Sequence, residues 1–133
     1  MISVPMSSPS QAQSFHDRAR AMSAEGHFEY AIELFLDALK LDPDNVIAHQ
    51  ELRDAGLRRH AAGGRDLSML EKVGLRKPAP SAVEDLLNTE KLLAYDPHNV
   101  NWLIAAVNHA NRAQLPATAQ WLHRVLDAAT RQR

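Results

Sequence analysis

The chain has no cysteine and few aromatic residues, which make up 5% of its 133 residues. The lack of cysteine excludes disulfide bonds and thiolate chemistry, and it fits a reducing compartment such as the cytoplasm. Because 45% of the residues are hydrophobic, Leu and Ala provide most of the packing surface, which favours helices over a β-sandwich. The longest apolar runs, such as residues 92–95, are too short to cross a bilayer, so no membrane insertion is predicted.

The sequence patterns of enzymes and metal sites are also missing. The five glycines do not take the spacing of a P-loop, a dinucleotide-binding loop or a nucleophile elbow. No two of the seven histidines have the H-x3-H spacing of a helical metal site. A net charge of −1 argues against a dedicated nucleic-acid binder. We therefore predict no catalysis, no cofactor and no metal.

Helical periodicity and helix-ending residues divide the chain into about six long helices and one short helix. Capping boxes at Ser10, Ser68 and Ser81 mark helix starts, whereas Gly26 and Pro43 mark helix ends. Residues 1–10 carry no charge and are predicted to form a disordered tail rather than a secretory signal. No stretch shows the alternation of a strand. The predicted helices span residues 11–24, 28–41, 45–60, 68–75, 81–94, 99–112 and 116–130.

One short segment occurs twice in the chain. Residues 41–46 read LDPDNV, and residues 95–100, which lie 54 positions later, read YDPHNV. Each copy ends one predicted helix and begins the next. The chain is therefore predicted to be a helical repeat, an architecture whose surfaces commonly hold other proteins.

The first predicted helix pair resembles the tetratricopeptide repeat (TPR), a helix–turn–helix unit with a period of 34 residues. The matching residues are Gly26, Phe28, Ala31, Phe35, Ala38 and Pro43. The last helix pair keeps Leu103 and Ala119 at family positions. In that pair Gln114 replaces the turn glycine, and His123 replaces the phenylalanine. The resemblance implies an all-α, right-handed helix–turn–helix solenoid of about three repeats within residues 11–133.

The middle repeat departs furthest from the TPR pattern. It has Asp85 where the family has a small residue and Thr89 where the family has phenylalanine. The offset of 54 residues between the two copies exceeds the 34-residue period by 20. This difference implies an insertion at about residues 61–80, between the two helices of the middle repeat.

In TPR proteins the first helix of each repeat lines a groove that takes a peptide or a helix of a partner. The resemblance places seven candidate binding residues in this groove: His16, Arg20, Gln50, Asp54, Asn101, Asn108 and Asn111. The three asparagines are the favoured contacts, because an amide side chain can both donate to and accept from a peptide backbone. A carboxylate-binding version of the groove is rejected, since Glu51 would repel a carboxylate.

The predicted insertion is basic and admits two interpretations. Its charges would suit docking of an acidic partner or of RNA, although no aromatic residue is interleaved for base stacking. Its apolar residues instead favour a solvated excursion that packs on the domain. The basic residues are Arg58, Arg59, Arg65, Lys72, Arg76 and Lys77, and the apolar residues are Leu67, Met69, Leu70, Val73 and Leu75.

The last predicted helix carries a second apolar stripe that includes Trp121 and Val125. Solenoids normally end in a capping helix with a polar outer face, and only residues 131–133 follow this helix in the sequence. We therefore expect Trp121 and Val125 to contact a second copy of the chain or a partner. The alternative is a tryptophan that folds back over its own helix.

These observations predict a cytoplasmic, non-enzymatic adaptor that binds a peptide segment or a helix of another protein through a TPR groove. An alternative is a TPR-type chaperone or secretion escort that holds a client in the same groove. A second alternative is an RNA-associated helical repeat that uses the basic insertion. Fold resemblance alone does not choose among them, because function depends on the site.

Overall fold

The structure, a computed structural model, describes residues 8–131, and side chains from residue 11 onward. This part of the chain forms seven α-helices and no β-strand, which confirms the all-α prediction. None of these helices is long and apolar enough to cross a membrane. The helices are α1 (Ser8–Ala24), α2 (Phe28–Leu41), α3 (Val46–Ala61), α4 (Met69–Arg76), α5 (Ala82–Tyr95), α6 (Val100–Arg112) and α7 (Pro116–Arg131).

The helix starts follow the capping residues of the sequence. Ser68 and Ser81 each accept a hydrogen bond of 3.2 Å from the backbone N–H three residues on, as predicted. Asn45 and Asn99, from the repeated segment, cap α3 and α6 in the same way. Helix α1 begins at Ser8, so Ser10 lies inside the helix and not at its cap, and α2 begins after His27 without a side-chain cap. The rest of the predicted tail, residues 1–7, lies outside the described residues.

Three helices, α1, α3 and α6, end in the same C-terminal motif. After α1, Gly26 has a left-handed φ of 84°, and the N–H of His27 donates to the Met22 carbonyl at 2.9 Å. After α6, Gln114 takes the same conformation with φ 59°, and the N–H of Leu115 donates to the Ala110 carbonyl at 3.0 Å. These are Schellman motifs. The turn after α6 therefore keeps the same shape, although it has Gln114 where the TPR pattern has glycine.

Helices that are joined by short turns pack side by side. α1 packs on α2, α6 packs on α7, and α3 packs on α2 and, across the insertion, on α5. The predicted contact between residues 45–60 and 81–94 is therefore present. The two helices run in the same direction, however, because His49 meets Glu90 and Gly56 meets Ala94, whereas the two helices of a helix–turn–helix hairpin are antiparallel. At the crossing of α3 and α5, Gly56 lies against the backbone of Ala94, so close that a Cβ there would be 2.7 Å from the Ala94 Cα.

Two hydrophobic clusters meet at α5. The first lies between α1, α2 and α3 and is centred on Ile32, Phe35 and Leu52. The second lies between α5, α6 and α7 and includes Leu103 and Leu122. Helix α5 contributes to both clusters, so it is the element that joins the two halves of the core.

The order of helices around α3 differs from regular stacking. A uniform row of first helices would place α6 beside α3, yet no Cα atoms of these two helices lie within 8 Å, whereas α7 does approach α3. The physical reason lies in the faces available. Helix α7 offers an apolar side that includes Trp121 and Leu122, whereas the corresponding side of α6 carries exposed asparagines. Burial of the apolar side is the more favourable choice.

The close approach at Gly56 predicts an unusual response to alanine. Gly56→Ala should lower the free energy of unfolding by about 1–3 kcal/mol, because the backbone of Ala94 cannot yield to the new Cβ. The matched control is Gly74→Ala in α4, where a Cβ meets nothing within 4 Å; it should stabilise by up to about 1 kcal/mol through helix propensity. Urea unfolding measures both, and equal effects of the two substitutions would contradict the packing at Gly56.

The left-handed turn at Gln114 predicts a stabilising change. Gln114→Gly should raise the free energy of unfolding by about 1 kcal/mol, because a side chain is disfavoured at positive φ. Gly26→Gln should lower it by a similar amount, since a Cβ at Gly26 meets no other atom and only the backbone is strained. Thermal unfolding of both variants checks the pair. A loss of stability in Gln114→Gly would count against the shared turn.

Candidate functional site

The predicted groove residues of α1 are engaged within the chain. Arg20 donates two hydrogen bonds of 2.7 Å to the carboxylate of Glu51 on α3, and His16 lies 3.1 Å from the same carboxylate. His16 is buried. The hydrogen bond from Arg20 is the main cause that lowers the pKa of Glu51, assisted by His16 and opposed by burial. This network ties α1 to α3 and leaves His16 little surface for a partner.

The α1 and α3 members of the predicted groove lie on adjacent helices. Arg20 and Asp54 line a shallow cavity of about 160 Å³ together with Ser23, Glu51 and Arg58. Gln50, on α3, is exposed. The structure therefore brings four of the seven predicted residues to neighbouring positions on α1 and α3.

The three predicted asparagines form a separate set. Asn101, Asn108 and Asn111 are exposed on one side of α6, with Ile104 exposed among them. Since α6 does not approach α3, these side chains do not continue the α1–α3 surface through direct packing of first helices. We call this side of α6 the asparagine side.

A deeper cleft lies between the insertion and α6. It has a volume of about 370 Å³, within the range of about 300–1,000 Å³ found for ligand sites. We call it the insert cleft. Its lining residues are Leu75, Arg76, Lys77 and Pro78 of the insertion, Asp85, Thr89 and Leu92 of α5, and Trp102, Ala105, His109 and Arg112 of α6.

The α6 wall of the insert cleft adjoins the asparagine side. Successive residues of an α-helix are rotated by about 100°, so Ala105 and Arg112 are neighbours of Asn101 and Asn108 on the helix surface. The asparagine side and the insert cleft therefore form one continuous surface. The sequence analysis identified the asparagines and the basic insertion but missed Trp102, whose helical spacing to residues 105, 109 and 112 was the available signal.

The insert cleft carries more positive than negative charge. Asp85 accepts a hydrogen bond of 2.8 Å from the Ala79 N–H and lies 3.5 Å from the Arg112 guanidinium. Burial lowers the pKa of His109, with Asp85 opposing and Arg112 reinforcing the shift. His109 is therefore neutral near pH 7. Arg112 donates to its Nδ1 at 2.8 Å.

Two cations of the insertion complete the wall of the cleft. The Arg76 guanidinium lies 5.7 Å from the centre of the Trp102 ring, a cation–π distance. Within residues 8–131, Arg76 and Lys77 form no salt bridge. The cleft thus combines an aromatic surface with cations that remain available to an acidic or amide-bearing ligand.

The packing of the insertion differs from the expectation that all five of its apolar residues are covered. Leu67 and Leu75 are half-buried, but Met69, Leu70 and Val73 are 70%, 83% and 45% exposed. The reason is geometric: α5 is the only helix whose Cα atoms come close to those of α4, so this short surface helix can cover only one of its sides.

Trp121 and Val125 on α7 are both half-buried against the second cluster. Trp121 also lines a narrow space with Leu52 and Arg53 of α3, where burial lowers the pKa of Arg53. The side chains of Trp121 and Val125 are therefore partly buried within the chain and partly exposed to solvent. No group of three or more His, Asp or Glu residues suited to a metal ion occurs within residues 8–131.

A buried ionic pair connects α3 to α5. His49 Nδ1 lies 2.7 Å from the Glu90 carboxylate, and Nε2 lies 2.8 Å from the Pro43 carbonyl oxygen. His49 is fully buried and Glu90 nearly so. Because the Pro43 carbonyl can only accept, Nε2 donates to it, and Nδ1 donates to the carboxylate, so the imidazole carries a positive charge. The site has no access for a substrate, and its role is structural.

The His49–Glu90 pair predicts a pH-dependent stability. Burial lowers the pKa of His49, but the charge and hydrogen bond of Glu90, with the Pro43 carbonyl, raise it more, and the net shift is upward. The stabilising contribution is therefore complete below the unfolded pKa of about 6.5 and is lost as pH rises through the raised folded pKa.

Urea unfolding at a series of pH values above 6 measures this loss. Glu90→Gln should destabilise the chain by about 1–3 kcal/mol near pH 6 and should flatten the profile. His123→Gln, which alters an exposed histidine paired with Asp127, is the matched control and should leave the high-pH loss unchanged. An unaltered profile in Glu90→Gln would contradict the charged pair.

Comparisons with protein-family models, with curated proteins and with solved structures find no match to this chain. The TPR resemblance therefore depends on the residues of the chain itself, chiefly the repeated Asp-Pro-x-Asn segment and the small and aromatic positions of the first helix pair.

Proposed function

We propose that this chain is a TPR-like adaptor that binds a segment of another protein and catalyses no reaction. The binding surface is the insert cleft together with the asparagine side of α6. The observation that carries the proposal is the cleft itself, because it combines a Trp102 wall, the cations Arg76 and Lys77, and adjacent exposed asparagines.

The chemistry of this surface suits a polypeptide. Asn101, Asn108 and Asn111 can pair with the N–H and C=O groups of a peptide backbone. Trp102 offers an apolar anchor position, and aromatic side chains of this type dominate many protein interfaces. The cations contribute mainly to selectivity for acidic side chains and contribute less to affinity.

The helical scaffold supports the same proposal. Paired helices that end at the repeated Asp-Pro segment present side chains from rigid elements, as the repeat families that bind proteins do. The TPR-like solenoid is supported by the shared turn geometry of α1, α3 and α6.

Affinity capture from cell extract with matched variants tests the proposed site. The Asn101/Asn108/Asn111→Ala triple variant and Ala105→Arg, which fills the insert cleft, should each lose specific partners by about tenfold or more, because a buried contact of about 1.4 kcal/mol is worth a factor of ten. Capture is quantified by mass spectrometry against the wild-type chain.

The control is Gln120→Arg, at an exposed position of α7 outside this surface. It introduces the same side chain as Ala105→Arg and should leave capture unchanged. Circular dichroism verifies that each variant remains helical. If every specific partner survives both surface variants, the binding site is not here and the proposal fails.

A further inference from the structure

Helix α4 presents an exposed apolar stripe formed by Met69, Leu70 and Val73. At about 100° of rotation per residue, these positions occupy one side of the helix. Leu70 is 83% exposed, more than any other large hydrophobic residue within residues 11–131. Single exposed apolar residues are ordinary on protein surfaces, whereas a clustered set marks an interaction site. We call these three residues the insert stripe.

The helix that carries the insert stripe is held in place independently of the stripe. Ser68 and Glu71 form a reciprocal cap at its start, and half-buried Leu75 lines the cleft against α5 and α6. After the helix, the Ala79 N–H donates to Asp85. An isolated helix of this length would be marginal, so these contacts, and not burial of the stripe, order α4.

The surroundings of the insert stripe are positively charged. Lys72 is paired with Asp66, but Arg65, Arg76 and Lys77 form no salt bridge within residues 8–131. Arg76 lies one turn beyond Val73 on the helix surface and also lines the insert cleft. The stripe and the cleft therefore share a cationic edge.

We propose that the insert stripe docks an amphipathic acidic helix of a partner protein. Apolar side chains of that helix pack on Met69, Leu70 and Val73, and its carboxylates pair with Arg76 and Lys77 at the edge of the insert cleft. Recognition of an amphipathic helix through apolar residues at helical spacing is a common binding mode. The inference rests on the proposed protein-binding function and names the chemical class of partner and its orientation.

Fluorescence anisotropy with synthetic peptides tests this docking. The acidic probe has Leu at positions i, i+3, i+4 and i+7 with Glu on the other side, and a basic probe has Lys in place of Glu. A third probe keeps Glu but has Ser in place of Leu. Only the acidic amphipathic probe should bind the wild-type chain. Added salt should weaken its binding, because the charges of Arg76 and Lys77 are exposed to solvent.

Matched variants connect binding to the insert stripe. Leu70→Glu and Lys77→Glu should each weaken the acidic probe by about tenfold or more, because one removes a buried apolar contact and the other reverses a charge. Ile47→Glu, at a 52% exposed position of α3, and Arg124→Glu, at an exposed position of α7, are the controls and should bind as wild type does.

Several outcomes overturn the inference. They are equal binding of the acidic and basic probes, no binding of the acidic probe, or equal binding by Leu70→Glu and wild type. Preference for anionic lipid vesicles would assign α4 to a membrane surface instead. A wild-type dimer that Leu70→Glu converts to a monomer, measured by light scattering, would assign the stripe to a second copy.

The two proposals fail in distinguishable ways. If partners captured from extract are lost in Ala105→Arg but retained in Leu70→Glu, the insert cleft binds protein and the stripe does not. If the acidic probe binds through the stripe while Ala105→Arg keeps every captured partner, the stripe stands and the proposed site at the cleft falls.

Discussion

The contact between α3 and α5 is the constraint on which the rest of the structure depends. These helices are separated in sequence by the insertion, so no short turn holds them together. His49 joins them by its bond to Glu90 and also anchors the first Asp-Pro turn through the Pro43 carbonyl. The close approach of Gly56 to Ala94 brings the two backbones together about two turns further along α3. A buried ion pair costs desolvation and is weak evidence for stability as such; here it fixes which helices are neighbours.

That contact decides which surfaces remain open. With α5 held against α3, α6 packs on α5, and the apolar side of α7 reaches α3. The asparagine side of α6 is left exposed beside the insertion. The proposed binding surface therefore lies where the insertion meets α6, and not along a uniform row of first helices.

The sequence predicted the helices well because their ends are local. Caps such as Ser68 and Ser81, and the repeated Asp-Pro turn, act within a few residues and leave clear signals. The start of α1 was missed because Ser10 has the sequence pattern of a capping box although the helix begins at Ser8. The position of α7 in place of α6 beside α3 could not be predicted, because it depends on contacts between helices that are far apart in the sequence. The His49–Glu90 pair could not be predicted either, because no local sequence pattern indicates that two polar residues far apart in the chain form a buried hydrogen bond.

The departures of the middle repeat from the TPR pattern acquire a physical meaning in the structure. Asp85 and Thr89 stand where the family has a small residue and a phenylalanine, and both line the insert cleft. Asp85 holds the end of the insertion through the Ala79 N–H and lies beside Arg112, which a small apolar residue could not do. Residues that depart from a repeat pattern are expected at functional positions. The residues that weaken the resemblance are therefore the ones that open and shape the candidate site, because a regular small-and-aromatic pair here would fill the cleft with core packing.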